Sequence, residues 1–371
     1  MSIAIVSYTA AHEAAVREFN ARLRAKGATW AFPDSCVPQW LPRREGNTLY
    51  QEYFLAVENG LVVRGGYILK RQRFLVNGNL LEIGDYRLPL SEGLIDRSFA
   101  LVALDLACDN LRRLPMSYGL GFGGEHTHTA DYARAMRWSI ATVPFYFRIV
   151  HPATFLRNIR SLRTSRFRCA LFDILAASGL GWLGITAMKA TRPRRRFRPP
   201  LECLQVAEFP GTVDNIWEKC KDDYAFIAVR DCSVLRTLYP ADDPRFIRLL
   251  VRRGNTVVGW AVLLNTPMTN HKQFGGMQVG TLVDCLASPA DAADVVACAA
   301  QVLEHGGADI LVSNQSSETW CQALCASGFL AGPSNFGLTA SPALAKQIGP
   351  IRDRMPTFHL NRGDGDGPIH L

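Results

Sequence analysis

Apolar and polar positions follow an order of strand and helix periods that occurs twice along this chain. Alternation over Ile3–Tyr8 predicts a strand, and the spacing over Ala11–Lys26 an amphipathic helix. After a proline-broken stretch, Gln51–Glu58 and Leu61–Arg73 read as strands joined by Asn59-Gly60, a strong hairpin signal. Asn77-Gly78 turns the chain into a further strand, Leu80–Asp85. Next come a helix over Asp96–Leu111, a short strand at Met116–Phe122, a helix over Thr129–Trp138 and a strand pattern in Thr142–Val150. The order is β-α-β-β-β-α-β-α-β.

From Leu204 the pattern returns, which points to internal duplication. Leu204–Ala207 reads as a strand and Val213–Lys219 as a helix. Phe246–Arg252 and Thr256–Leu264 form a hairpin, and Gly276–Leu286 is the third meander strand. Ala290–His305 (helix), Asp309–Val312 (strand), Glu318–Ser327 (helix) and a last strand region at Gly328-Phe329 complete it. The expected boundaries are a first domain over 1–150, a basic and apolar helical linker over 151–200, a second domain over 201–348 and a flexible Asp/Gly-rich tail over 349–371. The fold class is α/β in the broad α+β sense, with a mixed, mostly antiparallel twisted sheet flanked by helices in each domain.

The linker changes the picture of charge. The chain has 371 residues, 48% hydrophobic and 20% charged, with a net charge of +8, so it is globular and favours acidic partners. Much of the excess is local. Arg157, Arg160, Arg163, Arg166 and Arg168 precede Cys169–Met188, an apolar run whose only charge is Asp173; Arg192, Arg194, Arg195, Arg196 and Arg198 follow. A run of that length suits a buried inter-domain helix, an interfacial helix held by arginines on anionic lipid, or a membrane span. The Gly179-Leu180-Gly181 break and the basic residues on both sides define no orientation for a span. Because the basic residues flank an apolar helix and are not interleaved with aromatics, nucleic acid is disfavoured as a partner.

Ten cysteines are scattered without a CxxC pair, and no secretory signal is evident, so the expectation is reduced thiols in a cytoplasmic protein. His126 and His128 lack accompanying ligands at zinc spacing, and no metal is expected. GLGFGG at 119–124 lacks the strand and helix spacing of a dinucleotide loop.

The stretch Leu80–Arg113 organises the first half. It reads as a strand entering a glycine-containing turn and then a helix, whose free N–H groups and dipole suit a phosphate. Gly93 lets backbone approach an anion closely, and Asp96 or Ser91 is placed to cap the helix.

This twice-told order resembles the GNAT (Gcn5-related N-acetyltransferase) superfamily, and more narrowly the tandem GNAT-fold proteins of bacterial exopolysaccharide and cell-envelope gene sets. In the second half the resemblance is carried by Val229-Arg230-Asp231, Leu235-Arg236, Tyr239-Pro240, Val258-Gly259-Trp260, Leu282-Val283-Asp284, Gly307-Ala308-Asp309, Asn314, Trp320, Leu324 and Gly328-Phe329. In the first half it is carried by Gly60, the Leu80–Leu111 unit and Val143-Pro144-Phe145-Tyr146-Phe147 with His151-Pro152 and Phe155-Leu156. The resemblance implies acetyl-CoA or another acyl-CoA as co-substrate, lying in a V-shaped cleft where the fourth and fifth strands part. Its pyrophosphate would rest on the turn Ser91, Glu92, Gly93, Leu94, Ile95, with Arg87 and Arg97 flanking. Gly93 takes the first glycine place of the family's R/Q-x-x-G-x-G/A motif, while Leu90 and Ile95 depart from it. In the second half Ser288-Pro289-Ala290 offers a plain helix start.

Acyl transfer to an amine needs a base, a donor to the thioester oxygen and an acid for the thiolate. Fourth-strand carboxylates are the base candidates: Glu82 and Asp85 in the first half, Asp284 in the second. Glu82 and Asp85 are three apart, so both reach one cleft only through a bulge. Tyr132 lies in the helix that carries the family's acid, about two turns before the usual place, which Trp138 fills; it therefore reads as structural. The acceptor implied is an amine on a small-molecule or lipid-linked sugar or envelope precursor, met in the cytoplasm or through peripheral contact of 157–198 with an anionic inner membrane. The alternatives are FemAB-like aminoacyl transfer and a non-catalytic scaffold or binding role in an envelope assembly.

Overall fold

The computed structural model describes residues 2–160, 172, 176 and 201–365. They form two compact units: Met1–Ala141 with Gly337–Arg352, and Thr142–Phe336 with Asp353–Leu371. The first boundary falls before residue 150, and each unit takes a strand from the other half of the sequence. That exchange is invisible to periodicity, which reads order along the chain and not partners across it.

In unit 1, β1 (Ile3–Ser7), β2 (Tyr50–Glu58), β3 (Val62–Val76), β4 (Asn79–Ser91), β5 (Ser117–Leu120), β15 (Gly337–Ala340) and β6 (Ser139–Thr142) stand in the order β1-β2-β3-β4-β5-β15-β6. The Asn-Gly turns form as expected. Asn59, Gly60, Asn77 and Gly78 all take positive φ (50°, 74°, 48° and 80°), the left-handed pair that a two-residue hairpin needs. Helix α1 (Glu13–Ala25) presents Val16, Phe19 and Leu23 to Leu55 and Ile68 on one face of the sheet. Helix α2 (Val102–Arg113) lays Val102 and Leu106 on Phe54, Tyr67 and Leu69 of the other. A shorter helix, α3 (His128–Ala135), starts at Thr127, whose hydroxyl accepts the Ala130 N–H.

In unit 2 the order is β14-β7-β13-β12-β11-β10-β8. These are Leu330–Gly332, Phe145–Ile149, Ile310–Asn314, Gln278–Ala287, Thr256–Pro267, Ile247–Arg253 and Leu201–Val206. Two elements between them carry no clear period: β9 (Phe226–Ala228) and the helix Cys232–Leu238, capped by Asp231. The expected tail is folded as far as Gly365. Helices Pro342–Ile348 and Ile351–Arg354 lead to a two-residue strand, β16 (Phe358–His359), which runs parallel to β9, and to a turn at Arg362–Asp364. Buried Phe358 and Leu360 supply the apolar anchor that composition alone, read from the glycines and aspartates, concealed.

The apolar run Cys169–Met188 lies outside the described residues, apart from Phe172 and Ala176, which pack on the cluster of Ile149, Phe155 and Met277. Among the described residues no helix is long and apolar enough to cross a membrane.

The cysteines correct one expectation. Cys203 on β8 is disulfide-bonded to Cys298 on the helix Ala292–His305, closing 95 residues of sequence. A cross-link of that span removes unfolded-state freedom on the order of 2–5 kcal/mol. The double variant Cys203→Ser, Cys298→Ser should therefore unfold at lower urea by about that free energy; an unchanged midpoint would mean that the link bears no load.

Candidate active site

The fourth strand of each unit contains one residue too many. In unit 1, Gly66 faces Leu90 while Ile68 faces Arg87, so the extra residue lies at Leu88-Pro89, with Leu88 at φ 45°. In unit 2, Val262 faces Asp284 while Leu263 faces Leu282, which leaves Val283 over. Such a bulge bends and twists the strand. The parallel pairing with the fifth strand is correspondingly short. β4 meets β5 at Gly84–Ser117 and Asp85–Tyr118, then runs on to Ser91. β12 meets β13 from Val279–Ile310 to Leu282–Ser313, then runs on to Ala287. Each unit thus has a pair of strands that part.

The two partings hold different things. In unit 2, residues 358–361 lie between the far end of β12 and the segment after β13. His359 Nε2 donates to the Cys285 carbonyl (2.9 Å), and Asn361 Nδ2 to Asp284 Oδ1 (2.9 Å). On the other side, the Ser316 N–H donates to the Leu360 carbonyl (3.0 Å), and Gln315 bridges Asn361. Asp284, a base candidate, is fully buried and accepts four hydrogen bonds: from Arg230 Nε (2.7 Å), the Tyr239 hydroxyl (2.7 Å), Asn361 Nδ2 and the Cys285 N–H (2.9 Å). Burial works against the Arg230 charge, yet Asp284 and Asp364 outweigh it and raise its pKa. Burial, then the Asp284 charge, pushes Tyr239 far up. A carboxylate with both oxygens doubly bonded has no lone pair aimed at a substrate proton. Asp284 holds the structure together.

In unit 1, Glu82 and Asp85 stay on opposite faces, because the bulge comes after both. Glu82 is exposed and paired with Arg71 (2.6 Å). Asp85 is buried, with Lys70 Nζ and Arg87 Nε each 3.6 Å away, and both cations lie over the Trp40 ring. The glycine turn differs from a phosphate cradle. Helix α2 begins at Val102, because Asp96 caps a separate 3-10 turn, Arg97–Phe99. The N–H groups of Ile95 and Asp96 go to the Glu92 carbonyl, and those of Phe99 and Ala100 to Asp96 and Arg97. The Ser98 N–H goes to the Asp96 carboxylate (2.9 Å), which that bond holds below its ordinary pKa. Five amides of the turn are therefore already used, and its anion is the protein's own.

The other named turn residues are accounted for as well. Ser91 is buried; Glu92 binds Arg22 (2.7 Å) and Arg64 (2.6 Å). Gly93 packs so tightly that an added Cβ would stand 2.8 Å from the Phe99 carbonyl oxygen. Leu94 and Arg97 are exposed, and Ile95 packs on the α1 core.

What unit 1 does leave open was missed in the sequence. Tyr86, the first β4 residue past the last β5 pair, lies 6.2 Å from the Trp138 ring. The Tyr132 hydroxyl and Trp138 Nε1 are buried and have no hydrogen-bond partner among the described residues. Burial, with lesser contributions from Cys108 and Asp105, pushes the Tyr132 pKa up to about 12. An unpaired buried polar hydrogen costs roughly 1–3 kcal/mol, so two together indicate an absent acceptor. The resemblance places Tyr132 in the helix of the family's acid, but its offset from the usual place, filled by Trp138, points to a structural role.

No family model and no curated protein matches the sequence. Solved structures do align with it. N-myristoyltransferase of Saccharomyces cerevisiae, with bound myristoyl-CoA and inhibitors, gives a TM-score of 0.52 at 8% identity, over 92% of this chain and 79% of that one. Another structure of that enzyme with bound myristoyl-CoA gives 0.51 at 10%, over 92% and 78%. A GCN5-related N-acetyltransferase from Anabaena variabilis gives 0.51 at 9%, over 91% and 72%. This is a GNAT-like two-sheet fold. At such identities the likeness speaks for the GNAT-like architecture alone, and the chemistry has to come from the residues described above.

Those residues give Asp284 a fold role that mutation can check. Asp284→Ala takes from Arg230 one of its two carboxylates and leaves the Tyr239 hydroxyl, the Asn361 amide and the Cys285 N–H without their acceptor, and should cost about 3–5 kcal/mol in urea unfolding. Asp284→Asn, which keeps the shape, should leave any turnover per folded molecule unchanged; loss of turnover with an intact fold would return Asp284 to the catalytic set.

Proposed function

We propose that the chain is an acyl-CoA-dependent N-acyltransferase whose acyl thioester lies in unit 1, where β4 and β5 part. The observation that carries this is the pair of buried donors without a partner among the described residues, the Tyr132 hydroxyl and Trp138 Nε1, near Tyr86, the first β4 residue past its last pair with β5. The aligned N-myristoyltransferase structures hold myristoyl-CoA, which supports a long acyl chain as readily as acetyl. The acceptor in this reading is an amine of a sugar or cell-envelope precursor, small or lipid-linked; the sequence resemblance supports it.

The chain's own groups suit the steps. The amine nitrogen attacks the thioester carbonyl, the carbon–sulfur bond breaks, and the sulfur takes a proton. Tyr132 keeps its proton at neutral pH, since its pKa is about 12, and is the acid for the thiolate. Asp105, an exposed carboxylate whose field reaches Tyr132, takes the ammonium proton. Asp85, Lys70 and Arg87 on the opposite face form a charged group with one cation in excess, which orients a polar acceptor. With no cradle at the Gly93 turn, the phosphates are held by cations; Arg97 is exposed there.

A second reading has a specific observation behind it. The used amides of the Gly93 turn favour a GNAT-fold binding protein without turnover.

The two part on Tyr132→Phe. As an acid, Tyr132 is worth about 10²-fold in kcat, with little change in KM for the acyl thioester. Its hydroxyl should impose no alkaline limb on the rate below about pH 12, because the protonated form is the active one. Unchanged kcat in the variant would remove Tyr132 from the mechanism, and the absence of acyl transfer to any amine would favour the binding role.

A further inference from the structure

The segment that fills the parting of unit 2 is held by a built set of recognition groups, one for each of its features. Arg230 donates Nε to Asp284 (2.7 Å) and Nη2 to Asp364 (2.5 Å), and all three are fully buried. Asp284 takes the Asn361 amide, the Cys285 carbonyl takes His359 Nε2, and Tyr224 packs edge-on to the His359 ring at 4.9 Å. Ser316 reads the backbone: its hydroxyl donates to the Phe358 carbonyl (2.7 Å) and accepts the Leu360 N–H (2.8 Å). Position 363 admits only glycine. A Cβ there would stand 2.3 Å from the Tyr239 hydroxyl and 2.7 Å from Asp284 Oδ2.

Charge balance separates receptor from ligand. Arg230 and Asp284 neutralise each other, so the receptor side is balanced without the segment. Asp364 adds a second carboxylate to one guanidinium, and the surplus is met by neutral donors, among them the Asn361 N–H on Asp364 Oδ2 (2.9 Å). Burying an extra charge costs free energy unless it is fully bonded, so the segment's hold depends on those contacts and not on a need of the receptor.

We infer that the parting of β12 and β13 in unit 2 is a receptor for an extended peptide of the form His-x-Asn-x-Gly-Asp, occupied in cis by residues 358–364. The recognition is by strand addition, with backbone bonds to Ser316 and side-chain pockets for His, Asn and Asp. The same receptor takes such a peptide in trans once the cis segment is expelled. This role is independent of acyl transfer in unit 1.

Gly363→Ala in the full chain tests it, because the added methyl collides with the receptor without changing any charge. Hydrogen exchange should accelerate at least about tenfold in 358–364 and in 283–287, with the rest of unit 2 unchanged. A synthetic peptide of residues 357–365 should bind this variant and restore protection to 283–287; the peptide carrying Gly363→Ala should not, and wild-type chain should bind neither. Asp364→Asn, close in shape, gives the same readouts should Gly363→Ala fail to fold. Exchange that rises evenly across unit 2, exchange that does not change, or a released variant that ignores the wild-type peptide would each show the segment to be ordinary core and overturn the inference.

Discussion

One surplus residue in each fourth strand governs the molecule. A parallel pair keeps its hydrogen bonds only while both strands advance in step; in unit 2 the surplus Val283 follows the last pair directly, and in unit 1 the pairing ends at Asp85 and the surplus residue follows at Leu88-Pro89. Past the bulge the strand bends away, and its outer edge has to find partners other than the neighbouring strand. Backbone groups freed there find partners in another segment, a ligand or solvent. The two units share this geometry, and what fills each one decides what each can do.

Unit 2 meets the demand from within. Its C-terminal segment saturates Asp284, occupies the Cys285 carbonyl and ties Arg230 between two carboxylates. Every polar atom of the Asp284 carboxylate is satisfied, and this makes for a rigid core and a poor reaction centre. Unit 1 holds the contrary pattern. Its glycine turn is closed by Asp96, while the Tyr132 hydroxyl and Trp138 Nε1 have no partner among the described residues, at a cost of roughly 1–3 kcal/mol each.

The sequence disclosed the elements and hid their partners. The Asn-Gly hairpins and the helices α1, α2 and α3 of unit 1 were legible because periodicity and turn chemistry are local. The late start of α2 was not, since it depends on whether the Asp96 side chain closes a short turn before a helix can begin. The opposite faces of Glu82 and Asp85 followed from alternation, whereas the position of the bulge needed the neighbouring strand. Asp284 looked like a desolvated base because it stands in an apolar strand; besides the neighbouring Cys285 N–H, its donors come from Arg230, Tyr239 and Asn361, all distant in sequence. Tyr132 looked structural for the converse reason, as nothing in its own helix shows that its hydroxyl lacks an acceptor.

The central claim is that only unit 1 offers a parting to an acyl thioester. Calorimetric titration of the intact chain with acetyl-CoA and with a long-chain acyl-CoA tests it most directly. One molecule bound per chain, with binding weakened by Trp138→Phe and indifferent to Asp284→Asn, is the result expected; two per chain, or none with either donor, would contradict it.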